Sequence, residues 1–198
     1  MNEWSRNWAR FLIAGILLMF SASLISCRGD PYAEGQEMIN KGNYNGAAEF
    51  FKKKLEKRPD DAMLHNEYGF ALMKLHLNKQ AQEEYLEAIR LQPEYPEAHF
   101  NLGTTLYRLG QNREAVKEFK AAIEQRPSYT EAYNRMGLAY YHDGKFQKAI
   151  ENFKQAIQMN PANPTYKDNL EKVIRMDEIA DKKTTEFFKQ DPAVEKPK

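Results

Sequence analysis

Four prolines, Pro59, Pro93, Pro127 and Pro161, fall 34 residues apart, and three other columns keep the same step. They are Gly35, Gly69, Gly103 and Gly137; Ala47, Ala81, Ala115 and Ala149; and the aromatics Phe51, Tyr85, Phe119 and Phe153. A fixed period of this length marks a stack of small units, because one such unit cannot bury its apolar face alone. Each unit holds two amphipathic stretches, divided in three of the four by Lys41-Gly42-Asn43, Leu109-Gly110-Gln111 or Asp143-Gly144-Lys145. Glycine at such a point takes the left-handed conformation that ends a helix. The Gly and Ala columns let the paired helices approach, and proline stops the second helix. The aromatic column is expected to fill the gap between hairpins. His76 stands where the second turn lacks its glycine, which predicts a less regular turn there.

The pattern resembles the tetratricopeptide repeat (TPR) family over residues 28–161, with repeats at 28–61, 62–95, 96–129 and 130–163. The third and fourth match best, through Leu102-Gly103-x-x-Leu106 and Met136-Gly137-x-x-Tyr140. The first departs most, with Glu34 and Lys54 at positions that are apolar and small in the family. The family's tryptophan column holds Pro31, His65, His99 and Tyr133. The resemblance implies that each unit is an antiparallel helix pair and that the chain has an all-α fold, a right-handed α-solenoid of antiparallel helix hairpins with a C-terminal capping helix. The cap is expected over residues 164–181, with Leu170, Val173, Ile174 and Ile179 toward the stack. Residues 182–198 are polar and are expected to form a frayed tail, with Phe187-Phe188 as either a docking motif or part of a helix extension.

The amino terminus is of another kind. Arg6 and Arg10 precede an apolar run that includes FLIAGILLMF at 11–20, the layout of a secretory signal. It ends in Leu24-Ile25-Ser26-Cys27, which resembles the lipobox of bacterial lipoproteins. That resemblance implies a signal peptide over 1–26, lipidation at Cys27 (palmitate or similar acyl chains), and a short tether over 27–30. The chain would then sit in the cell envelope as a membrane-anchored lipoprotein, in the outer membrane facing the periplasm if the source is Gram-negative. An uncleaved N-terminal helix is the alternative, since 16 residues between Arg10 and Cys27 fall just short of the roughly 20 that span a bilayer. Both tryptophans, Trp4 and Trp8, and the sole cysteine lie in this segment.

Twenty-nine Lys and Arg against 28 Asp and Glu leave no basic excess for a nucleic-acid partner. One cysteine excludes an internal disulfide and any multi-cysteine metal site. No nucleophile elbow, phosphate loop, dinucleotide fingerprint or zinc-protease motif occurs, so no enzyme activity, cofactor or metal is expected. His65 and His99 share one column and read as packing; Lys52-Lys53-Lys54 with Lys57 and Arg58 reads as a solvated run.

In the family, six positions of each first helix line a concave groove. Carried over, repeat two supplies Met63, Asn66, Glu67, Phe70, Met73 and Lys74. Repeat three supplies Glu97, Phe100, Asn101, Thr104, Tyr107 and Arg108. Repeat four supplies Glu131, Asn134, Arg135, Leu138, Tyr141 and His142. Phe70, Met73, Phe100, Tyr107, Leu138 and Tyr141 form an apolar strip, and Asn66, Asn101 and Asn134 are expected to hold a peptide backbone. Some members clamp an acidic C-terminal tail with Lys, Asn and Arg; Glu131 occupies one of the lysine places and argues against that ligand. The expected function is a protein-protein interaction scaffold or adaptor that binds a peptide or helical segment of an envelope partner. Family relatives of this build include pilotins. A non-catalytic accessory subunit of an envelope enzyme stays open.

Overall fold

The computed structural model describes residues 30–190, with side chains through 182. The signal, lipidation and tether segment up to residue 29 and the tail beyond 190 lie outside the described residues. So do the side chains of Phe187 and Phe188.

The described residues fold as nine helices and no strand. They are α1 (Ala33–Asn40), α2 (Tyr44–Leu55), α3 (Ala62–Lys74), α4 (Asn78–Leu91), α5 (Pro96–Arg108), α6 (Asn112–Gln125), α7 (Thr130–His142), α8 (Phe146–Met159) and α9 (Pro164–Gln190). The pairs α1/α2, α3/α4, α5/α6 and α7/α8 are the four hairpins, and each packs mainly on its neighbours along the chain. The fold is the all-α solenoid, closed by α9, that the sequence pattern predicts.

Local chemistry sets the helix ends. Asn43 and Asp61 cap α2 and α3, the Asp61 carboxylate accepting from the N–H groups of Met63 and Leu64 at 3.1 and 3.2 Å. Pro96 and Pro164 open α5 and α9, where a missing N–H is harmless. Each second helix ends before its proline, at Leu55, Leu91, Gln125 and Met159. The four intra-hairpin turns share one geometry. Gly42, Gly110 and Gly144 have φ of 75°, 77° and 72°, and His76 has 63°. In each, the residue after the left-handed one donates its N–H to a carbonyl five residues back, as Leu77 does to Leu72 at 3.0 Å. The expected irregularity at His76 is therefore corrected: the second turn keeps the shape of the others, with a non-glycine residue held in the left-handed backbone conformation.

The glycine column is a steric requirement. A Cβ built on Gly35, Gly69, Gly103 or Gly137 would lie 2.3, 2.9, 2.8 or 2.7 Å from the ring of Phe51, Tyr85, Phe119 or Phe153. Each ring thus lies on the glycine of its own hairpin, a closer role than the inter-hairpin filling expected of it. All four column alanines are fully buried. One continuous core runs from α3 to α9, and a smaller cluster joins α1 and α2 to α3.

The cap differs from expectation in length and face. It runs to Gln190, beyond 181, because no Gly or Pro interrupts the sequence before Pro192. Tyr166 and Val173 are buried and Leu170 packs beside them, whereas Ile174 and Ile179 are exposed. The seam follows 166, 170 and 173, and residue 174 lies about 100° further round the helix.

Candidate functional site: the concave face

The first helices, α1, α3, α5 and α7, line one face of the stack, and the predicted groove residues divide there into two sets. Asn66, Met73, Thr104 and Asn134 are buried. Asn101 donates its Nδ2 to Asn66 Oδ1 at 2.9 Å, and Asn169 of α9 donates to Asn134 Oδ1 at 2.9 Å. The expectation that these asparagines hold a peptide backbone is corrected at Asn66 and Asn134: both are buried, and their amide oxygens tie α3 to α5 and α7 to the cap α9. Thr104 turns its hydroxyl onto the Phe100 carbonyl at 2.9 Å, and the Met73 carbonyl accepts from Arg108 at 3.1 Å.

The rest are half-buried or exposed. Phe70, Phe100, Tyr107, Leu138 and Tyr141 pack against the core with part of each side chain in solvent. Lys74 places its ammonium 5.1 Å from the centre of the Phe70 ring. Phe100 stacks on Tyr129 at 4.8 Å, so it serves the junction of repeats three and four. Tyr107 meets exposed His142 edge-on at 5.5 Å, and Lys172 lies 5.1 Å from the Tyr141 ring. Arg135 bonds Glu131 at 2.8 Å, and Glu131 also accepts from the Tyr166 hydroxyl at 3.1 Å. Of the six large apolar groups expected in the strip, Met73 is enclosed and the other five are partly covered; Met63, a groove residue outside the strip at the start of α3, is exposed.

A cavity of about 340 Å³ opens on this face. Gln36, Ile39 and Asn40 of α1, Asn66, Glu67 and Phe70 of α3, and Glu97 and Asn101 of α5 line it, with Tyr129 before α7. Burial pushes the Glu67 carboxyl above the usual carboxylate range, against a weaker opposing pull from the Asn66 amide. The Tyr129 hydroxyl is pushed up to about 12, first by burial and then by the Glu97 charge. The three α1 residues add to the groove expected from repeats two to four. Gln36, Ile39 and Asn40 occupy the same family positions as Phe70, Met73 and Lys74, so the signal was present. Tyr129 occupies the last repeat position, shared with Asp61 and Tyr95.

His65 and His99 do pack as their shared column predicts, through matching hydrogen bonds. Their Nδ1 atoms lie 2.7 Å from Glu84 and 2.8 Å from Glu118, and their Nε2 atoms 2.8 and 3.2 Å from the carbonyls of Pro59 and Pro93. Among the described residues no group of three His, Cys, Asp or Glu is placed to hold a metal, and no helix is long and apolar enough to cross a membrane.

Family models described as TPR repeat and tetratricopeptide repeat match residues 78–110 and 100–164. No curated protein sequence matches the chain significantly. Among solved structures, YrrB, "a TPR protein with an unusual peptide-binding site", is 29% identical, covering 69% of this chain and 70% of that one, with a TM-score of 0.63. MamA from Desulfovibrio magneticus RS-1 is 22% identical, covering 84% and 96%, at 0.69. PilF of Pseudomonas aeruginosa is 21% identical, covering 75% and 68%, at 0.69. Residues 78–164 therefore carry tetratricopeptide repeats, and they lie within an all-helical solenoid of tetratricopeptide type.

Proposed function

We propose that this chain is a non-catalytic scaffold that holds a peptide or helical segment of a protein partner along its concave face. The observation that carries this reading is the cavity shared by α1, α3 and α5. It is a concave surface with half-buried rings, amides and two carboxylates, built across hairpins that are otherwise closely packed. The peptide-binding site described for YrrB supports it. Gln36→Ala with Tyr107→Ala removes two groups of this face, one of them lining the cavity, and loss of the captured partner in a pull-down is the expected outcome. Full retention of every partner overturns the concave-face reading. Asn101 is a poorer choice for this test, since its amide holds Asn66.

The same proposal includes the tether. Lipidation of Cys27 would place the scaffold on a membrane of a bacterial cell envelope, the outer membrane in a Gram-negative source, as an adaptor of an envelope assembly such as a pilotin-like factor. The support is the lipobox-like Leu24-Ile25-Ser26-Cys27 after an apolar run. Stable anchoring takes more than one acyl chain, which this processing supplies. Cys27→Ser is expected to change gel mobility and release the protein from membranes. Unchanged behaviour in both, with residues 1–26 retained, would establish an uncleaved helical anchor instead.

A further inference from the structure

The cavity between α1, α3 and α5 has two carboxylates and no basic side chain in its lining. The two are in different situations. Glu97 is paired with Arg126, whose guanidinium also sits 5.0 Å from the Tyr129 ring. Glu67 has no ion pair among the described residues, and the hydrogen bond it accepts there comes from the neighbouring Asn66 Nδ2 at 3.3 Å. Water is largely withheld from it, which raises its affinity for protons. A carboxylate in that position gains most from a cation brought beside it, because the charge then regains what burial removed. Ile39 and Phe70 supply apolar wall next to it, and such walls suit the methylene stem of a long basic side chain.

We infer that this cavity receives a lysine or arginine side chain of the bound protein segment, its charged head beside Glu67 and its stem against Ile39 and Phe70. The inference rests on the concave-face reading and adds the chemistry of the ligand. An acidic side chain is disfavoured at the same place, since it would face Glu67 and Glu97 at short range. Lys74, which lies against Phe70 but does not line the cavity, leaves the opening free of a competing cation.

The test uses the full chain in detergent micelles and a displayed library of random 16-residue peptides. Selected peptides are expected to share a Lys or Arg at one register position. Replacing that residue by norleucine, which keeps the stem and removes the charge, is expected to weaken binding about tenfold. Glu67→Gln, nearly isosteric and without a buried charge, should weaken the parent peptide similarly and leave the norleucine peptide unaffected. Gln36→Arg puts a cation at the lining and should block the basic peptide. Peptides that lack a basic residue yet are lost with Gln36→Arg overturn this inference alone. Peptides indifferent to both Glu67→Gln and Gln36→Arg do not enter this cavity and overturn this inference; if Tyr107→Ala also leaves them bound, the concave-face reading falls with it. Selection of no peptide at all overturns both.

Discussion

Asn101 and Asn66 join two first helices through one amide hydrogen bond of 2.9 Å, and Asn169 and Asn134 repeat that bond two hairpins further along. The donors are half-buried and the acceptors almost completely enclosed. Removing the donor leaves a buried amide oxygen unpaired, a loss of about 1–3 kcal/mol. Asn101→Ala is therefore expected to destabilise by about that amount in chemical denaturation, while Asn40→Ala, exposed on the same face, changes little. Equal, small effects from both would show that the bond contributes nothing.

Tyr85 is the member of the aromatic column that carries a hydroxyl, and its Oη is buried with no hydrogen-bond partner among the described residues. Burial raises its pKa, so the group stays neutral and still lacks an acceptor. Phe51, Phe119 and Phe153 fill the same place without that penalty. Tyr85→Phe is expected to raise the unfolding free energy by roughly 1 kcal/mol. A drop of similar size would mean that the hydroxyl is satisfied in solution.

At the second intra-hairpin turn, His76 holds φ of 63° where the other three turns use glycine. A side chain in the left-handed region costs about 1–2 kcal/mol, part of which glycine returns as unfolded-state entropy. His76→Gly is expected to stabilise by up to about 1 kcal/mol, read as a raised melting temperature.

His99 carries a pH dependence. Its Nδ1 faces the Glu118 carboxylate of α6 and its Nε2 the Pro93 carbonyl, which also accepts from Gln125 at 3.0 Å. Only the imidazolium can donate to both acceptors. The Glu118 bond raises the pKa above 6.5 most, the Pro93 carbonyl adds to it, and burial opposes. With the folded pKa above the unfolded one, the stabilisation is complete below about pH 6.5 and is lost as pH rises through the folded value. Denaturation midpoints should decline on that upward pH course, and His99→Gln should flatten part of the decline. An unchanged profile in the variant would remove His99 from the account.

The hairpins, their turns and the glycine–aromatic contacts were legible because each column repeats four times, and one odd residue could not hide the register. The groove was less so. Positions on a first helix are shared between ligand and neighbouring helix, and only packing decides which way Asn66 or Phe100 is used. The seam of α9 is hard to read for a similar reason: Ile174 looks like core by composition, but Tyr166 and Val173 set the contact line. Its length is not legible either, because the change at residue 182 is one of polarity, and polarity does not stop a helix.

The central claim is that the face bearing Gln36 and Arg108 holds the partner. A photo-crosslinking amino acid placed at Gln36 or Arg108, both exposed there, and at Glu83 or Lys120, exposed on second helices, tests it in cells without disturbing the core. The account predicts that mass spectrometry finds one partner segment crosslinked from Gln36 and Arg108 and absent from Glu83 and Lys120. Capture of the partner from Glu83 or Lys120, with none from Gln36 and Arg108, would contradict it.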